Sequence, residues 1–290
     1  MTGVVAVDVP VICCGGATVG GAGKTTVVEA LTRWIPGAHV VMHGYGGYFT
    51  GPTRVTAATP YALVGDEACI HAASTPTWVG RHRGRAAQAA VAAGARAIIL
   101  DDGLQNRSIR KDVSLLIING GTGLGNGRVL PFGPLREKFL PLLERCAAAI
   151  IVGEDRTGVR ALIGDRIPVV EARLEQVLAR PATDYPPVFA FTGIAFPGKF
   201  YETLRASGLR VVGTRDFPNH YPYSRGDWEG LVDRARRLGA RLITTPKDAV
   251  RLPYTVVRGR LDIADTRLVW RNAEPLKAVL RKHGVVVGGN

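Results

Sequence analysis

Apolar, β-branched runs alternate with alanine- and leucine-rich stretches along most of the chain, and the alternation predicts strands and helices in turn. Predicted strands fall at residues 11–14, 39–42, 77–79, 97–100, 113–118, 148–152 and 169–172, with helices at 24–34, 62–73, 83–93 and 136–146 between them. That order is the pattern of a parallel sheet with crossover helices. Pro181, Pro186 and Pro187 then discourage helix and central strand alike, so residues 173–187 read as a linker. Beyond it the alternation restarts, with strands at 188–192, 209–212, 242–245 and 268–270 and helices at 198–207, 225–238 and 273–282. The expected organisation is a larger α/β domain over 1–172 and a smaller α/β domain over 188–290. No repeat of fixed period and no low-complexity tract interrupts it.

With 290 residues, 46% of them hydrophobic and 21% charged, the chain has globular proportions, which exclude collagen-like, disordered and mini-protein readings. No apolar run approaches the ~18 residues that would span a bilayer. The first residues lack a basic stretch and include Asp8, so no secretory signal peptide is expected. Cys13, Cys14, Cys69 and Cys146 form no C-x-x-C pair and read as buried thiols in a reducing compartment. Thirty-seven basic against 24 acidic side chains give a net charge of +13, which favours a polyanionic partner: phosphates, nucleic acid or an anionic membrane surface. Charge alone does not choose among these, and equally serves as a solvated face. The basic residues are scattered and carry no nucleic-acid-binding signature, so no nucleic acid partner is expected.

The first predicted strand runs into Gly15-Gly-Ala-Thr-Val-Gly-Gly-Ala-Gly-Lys-Thr-Thr26 and then into a helix. Strand, glycine-rich turn and helix are the context of a phosphate loop. Gly20, Gly21 and Gly23 let successive amides face an anion, and the helix adds its free N–H groups and positive dipole end. Lys24 can reach the β- and γ-phosphates, the Thr25 hydroxyl can hold Mg²⁺, and Thr26 completes the set. The first glycine of the usual G-x-x-x-x-G-K-[ST] pattern falls at Thr18. The G-G-x-G-K-T form is shared with partition-type ATPases, but their signature lysine is Val19 here. At the end of the predicted strand 97–100, Asp101 and Asp102 are placed to hold Mg²⁺ or to cap a turn. The expected fold class is therefore a phosphate-loop NTPase-like parallel sheet flanked by helices, with a second, smaller α/β domain.

Asp101-Asp-Gly-Leu-Gln105 and Gly125-Asn-Gly-Arg-Val-Leu-Pro-Phe-Gly-Pro-Leu-Arg-Glu137 go beyond a generic nucleotide binder. Together with the phosphate loop, Val64-Gly-Asp-Glu67, Phe217-Pro-Asn-His220 and Thr244-Thr-Pro-Lys-Asp248, the chain resembles the tetraacyldisaccharide 4'-kinases of lipid A biosynthesis over roughly residues 11–252. The resemblance implies ATP and Mg²⁺ as cofactors and an acylated glucosamine disaccharide 1-phosphate as the lipid acceptor, phosphorylated on its 4'-hydroxyl at the cytoplasmic face of the bacterial inner membrane. It implies Asp66 as the base assisted by His220, Glu137 as a further Mg²⁺ ligand, Arg136 on phosphate, and Gln105 and Asn126 as polar contacts. On bare sequence Asp66 equally caps a helix, His220 sits in a surface loop, Arg136 and Glu137 open a helix, and Lys247 is solvated. Asp66 and His220 fall on opposite sides of the expected boundary, which suggests that domain closure assembles the pair.

Several positions depart from the family pattern. The hydrophobic amino-terminal helix of the family has no counterpart before the first strand: either a start site lies upstream, or membrane contact is peripheral, through a basic and partly apolar surface, the expectation kept here. Asn106 replaces a histidine, Asn219 an aspartate, and Met42-His-Gly-Tyr-Gly-Gly47 the family's Ser-Arg-Gly-Tyr-Gly-Arg segment. Trp34 and Ile35 read as packing residues. Two rivals stand beside the kinase: a partition-type nucleotide-switch ATPase, and a family member that has lost catalysis and binds lipid and nucleotide.

Overall fold

The computed structural model describes residues 3–252 and 261–288. The chain forms two units, Met1–Leu174 with Leu268–Asn290, and Glu175–Arg267. In the first, β1 (Val11–Gly16) is the central strand of a nine-stranded sheet. On one side of it follow β5 (Ala97–Asp101), β2 (Ala38–Met42), β4 (Thr77–Val79) and β3 (Thr53–Val55). On the other follow β6 (Val113–Asn119), β7 (Ala148–Val152), β8 (Val169–Val177) and β13 (Asp265–Trp270). The pairings from β4 across to β8 are parallel, and β3 pairs antiparallel with β4.

Alternation along each strand sorts the core into two layers. Ile12, Cys14, Ile99, Leu115, Ile117 and Ile150 face α1 (Lys24–Trp34) and α10 (Glu274–Lys282). Val11, Cys13, Ile98, Leu100, Leu116 and Ile151 face α4 (Arg83–Ala92), α5 (Phe139–Leu143) and α6 (Val159–Ile163). Strands covered on both faces explain the uninterrupted apolar runs, and each fully buried Ile or Leu contributes about 1.5–3 kcal/mol. The four cysteines are free, and burial pushes Cys13 and Cys146 up to about 12 and the half-buried Cys69 to about 11. The chain leaves β1 toward β2 and later crosses back from β5 to β6. The carboxyl end of β1 is thus the point where strand order reverses, which is where open α/β sheets bind ligands.

The second unit carries a four-stranded parallel sheet, β10 (Val211–Asp216), β9 (Val188–Thr192), β11 (Arg241–Thr244) and β12 (Leu261–Ile263). Phe200, Tyr201 and Leu204 of α7 (Pro197–Ala206) cover one face with Val188 and Ala190. Trp228 and Leu231 of α8 (Arg225–Arg237) cover the other with Phe189 and Phe191. A capping box between Ser224 and Asp227 starts α8, and the short α9 (Pro246–Ala249) follows β11.

Several elements differ from the sequence reading, and three regions bear on the site and the units. Residues 268–282, expected in the smaller domain, pack with the larger unit. Leu276 and Leu280 join its core, and the Trp270 ring lies 4.8 Å from that of Trp34, which is itself a core residue. The expected helix 62–73 breaks at Gly65 (φ 89°) into α2 (Tyr61–Val64) and α3 (Asp66–Ala72). The expected helix 136–146 shrinks to α5, because Leu135 bridges Thr18 and Arg136 N–H donates to Ala17 O at 2.9 Å.

Candidate active site

Gly20 (φ 110°) and Gly23 (φ 80°) adopt left-handed backbone open to glycine at little cost. Gly23 caps α1, whose first turn holds no acidic residue, so its amides keep their attraction for an anion. Lys24, the first residue of α1, reaches back to Asp102, with its Nζ 3.6 Å from Oδ1. Thr25 is half-buried, and Thr26 donates its hydroxyl proton to Gly23 O at 2.8 Å.

Asp101 ends β5 and is buried, its Oδ2 3.0 Å from His71 Nε2. Burial pushes its carboxyl up, but the His71 hydrogen bond and charge, with Lys24 and Arg83, hold it below the usual carboxylate range. Asp102 turns the chain in the left-handed region (φ 53°), a conformation that aspartate tolerates better than most residues. Its Oδ2 accepts from Arg136 Nη2 at 2.8 Å. Arg83, at the start of α4, is 9% exposed; burial lowers its pKa while Asp102 and Asp101 counter it.

Arg136 arrives there because its segment is zipped to the phosphate loop. Val19 N–H donates to Pro134 O at 2.9 Å, next to the Thr18–Leu135 bridge. The neighbouring Glu137 accepts from Gln105 Nε2 at 3.0 Å and from Arg145 Nη2 at 2.7 Å. Asn126 closes its own turn: Nδ2 donates to Phe132 O at 2.9 Å and Oδ1 accepts from Arg128 N–H at 3.1 Å.

Asp66 is the first residue of α3 and 8% exposed, with Oδ1 accepting from Glu67 N–H at 2.9 Å. The break that creates this helix start needs Gly65, since a Cβ there would lie 2.6 Å from Tyr45 O. Gly47 is equally constrained, 2.4 Å from Leu63 O on the same test, so the altered 42–47 segment packs against the Gly-Asp-Glu turn. In the smaller unit His220 is exposed, turns the chain at φ 59°, and donates its N–H to Gly193 O at 3.1 Å. Lys247 is half-buried.

The larger unit thus brings Lys24, Asp102 and Arg136 into one ion cluster, Gln105 onto Glu137, and Asp101 onto a residue the sequence reading missed, His71. Arg83 was missed as well; its signal was three arginines in Arg81-His-Arg-Gly-Arg85, which runs from just after a strand into the first turn of a helix. His71 had no comparable signal, because its partner lies 30 residues away.

Asp101 Oδ1 and Asp102 Oδ1 are buried with no hydrogen-bond partner, and the loop lysine stands next to the second. Hard oxygen donors left open beside a phosphate loop suit Mg²⁺. Among the described residues no group of three or more His, Cys, Asp or Glu could hold a metal ion alone. A nucleotide-borne Mg²⁺ needs only one or two carboxylates, its phosphates supplying the rest. Glu137, with one hydrogen bond on each oxygen, keeps lone pairs that could join the set.

A glycine loop at the strand-order reversal, facing an acidic strand end threaded by Lys24 and Arg136, defines a phosphate-loop kinase. A family model described as tetraacyldisaccharide-1-P 4'-kinase matches residues 1–283, and the chain belongs to that family of lipid kinases. The tetraacyldisaccharide 4'-kinase of Gluconacetobacter diazotrophicus is 45% identical over 273 residues, covering 92% of this chain and 83% of the relative. That of Rhodospirillum centenum is 43% identical over 278 residues, covering 94% and 82%. The crystal structure of LpxK from Aquifex aeolicus in complex with ATP has the same fold. It superposes with a TM-score of 0.78 at 24% identity, covering 97% of this chain and 90% of the other.

Proposed function

We propose that this protein transfers the γ-phosphoryl group of ATP to the 4'-hydroxyl of a tetraacylated glucosamine disaccharide 1-phosphate in lipid A biosynthesis. The observation that carries the site assignment is the convergence on Asp102 of Lys24 from the loop, at 3.6 Å, and Arg136 from the Gly-Pro-Leu-Arg-Glu segment, at 2.8 Å. Phosphoryl transfer asks mainly for positioning and charge neutralisation. The loop amides, including those of Gly20, Gly21 and Gly23, cradle the phosphates. Lys24 and Arg136 offset the charge that spreads over the transferred group, with Asp102 holding both cations in register until the nucleotide arrives.

Thr25, Asp101 and Asp102 are the residues that hold Mg²⁺ in this proposal, with Glu137 and Gln105 adjoining. When bound, the ion neutralises phosphate charge and orients the nucleotide. His71 keeps Asp101 ionised and occupies its Oδ2, which leaves Oδ1 for the ion. As the bond from phosphorus to the acceptor oxygen forms and the bond to the departing ADP oxygen breaks, the hydroxyl proton passes to the Asp66 carboxylate. His220, carried by the Phe-Pro-Asn-His segment, assists Asp66. The lipid is met at the cytoplasmic face of the inner membrane, to which the net charge of +13 draws the protein peripherally. Among the described residues no helix is long and apolar enough to cross a membrane.

The test is incubation of the purified protein with Mg-ATP and a detergent-dispersed tetraacylated disaccharide 1-phosphate, followed by mass spectrometry of the lipid. One phosphate gained with wild type and none with Lys24→Ala supports the proposal. An unchanged lipid, with nucleotide binding intact, refutes it.

A further inference from the structure

The loop that carries His220 is held by a carboxylate from another part of the smaller unit. Asp248, in α9, is completely buried. Its Oδ1 accepts from Gly193 N–H and from the Tyr223 hydroxyl, both at 2.8 Å, and lies 3.6 Å from Arg251 Nη1. Its Oδ2 accepts from the Thr192 and Thr245 hydroxyls, each at 2.6 Å.

Three of those partners, Thr192, Gly193 and Tyr223, border the His220 loop. Thr192 and Gly193 form its floor: Thr192 O accepts from Phe217 N–H at 2.9 Å, and Gly193 O from His220 N–H at 3.1 Å and Arg251 Nη1 at 3.3 Å. The loop lies so close that a Cβ on Gly193 would stand 2.7 Å from Pro218 O. Tyr223 is the far end, and its ring packs edge-on to Phe217 at 4.9 Å and to Phe191 at 5.6 Å. Between floor and far end His220 holds a left-handed conformation (φ 59°), which is strained for a non-glycine residue and persists only where its surroundings enforce it.

We propose that Asp248 is a positioning residue for His220. It ties the strand end under the loop to the tyrosine that closes it, and so fixes where the imidazole stands. A buried carboxylate is a poor way to gain stability, since apolar replacements often do as well, and its use here specifies one backbone path. The proposal rests on the role of His220 in the kinase reaction.

Steady-state kinetics of Asp248→Asn, Tyr223→Phe, His220→Ala and the double variant His220→Ala/Asp248→Asn test it. Asp248→Asn is expected to lower kcat by up to about 10²-fold, the scale of a small misplacement, with the KM for ATP little changed. In the His220→Ala background it should cost nothing more. Tyr223→Phe, which removes one bond and keeps the ring, should show a smaller loss in the same direction and serves if Asp248→Asn fails to fold. The His220 imidazole resonances in a ¹H–¹⁵N spectrum should move in either folded variant. Equal fold-losses from Asp248→Asn with and without His220, or imidazole resonances unmoved in both variants, overturn the positioning role alone. Full activity of His220→Ala overturns the reading of His220 itself, and the positioning role with it.

Discussion

Asp101 and Asp248 are both buried carboxylates beyond the apolar run of a parallel strand, and they are satisfied in opposite ways. Asp248 receives four hydrogen bonds and stands close to Arg251. Asp101 has one partner, His71, and an Oδ1 without a donor, beside Asp102 whose Oδ1 is also without one. A saturated carboxylate binds nothing further and serves the backbone around it. An unsaturated one, kept ionised, retains acceptor sites that a cation can take. The larger unit therefore holds the electrostatics open for phosphate, whereas the smaller unit closes its polar network to fix a loop.

The largest expected effect falls on the open side. Lys24→Ala should reduce lipid phosphorylation by at least about 10³-fold, the scale of a cation lost from phosphoryl transfer, while moving the melting temperature little. A steady-state assay paired with thermal unfolding checks both halves. On the saturated side the order reverses. Asp248→Ala should cost about 3–5 kcal/mol in denaturant unfolding, because it removes the carboxylate on which four buried donors meet, whereas Asp101→Asn should stay within about 1 kcal/mol of wild type and lose Mg²⁺-dependent nucleotide binding. Similar destabilisation by the two would erase the distinction.

Asp66→Ala should lower kcat by about 10²-fold or more and leave ATP affinity unchanged, as expected of a proton acceptor that takes no part in nucleotide binding. Equilibrium binding and single-turnover transfer separate the two.

The buried thiols offer the smallest effect and a third kind of burial, in which desolvation outweighs the nearby cations Lys111, Arg83 and Arg145. Burial raises Cys13 and Cys146 to about 12, so the folded state keeps protons that the unfolded chain releases above its thiol value of about 8.5. Their contribution is fully present below that value and is lost as pH rises toward 12. Stability measured in denaturant should decline above about pH 8.5, less steeply in Cys146→Ala.

The phosphate loop was legible in the sequence because its glycines, lysine and threonine are contiguous and lie between a strand and a helix. Asp101 and Asp102 were legible as a strand end, yet their difference was not, since it is made by His71 and Arg136 arriving from distant segments. Helical periodicity around Arg136 suggested a helix start, and pairing with the phosphate loop overrode it. The single break at Gly65 escaped notice because one glycine in a helical pattern is usually tolerated; here Tyr45 O occupies the space a side chain would need. The return of β13 and α10 to the larger unit was hidden for a similar reason, as the Trp34–Trp270 contact joins opposite ends of the chain. Thr-Thr-Pro-Lys-Asp was visible as a segment, but only the fold shows four donors meeting on its aspartate.

The most direct test of the central claim is the position of the transferred phosphate. Lipid recovered from a reaction of the wild-type protein with Mg-ATP and the tetraacylated disaccharide 1-phosphate should show, by ³¹P–¹H correlation, a second phosphomonoester coupled to the proton on carbon 4' of the distal sugar. Release of ADP with no new lipid phosphorus resonance, or a phosphate on any other carbon, would contradict the account.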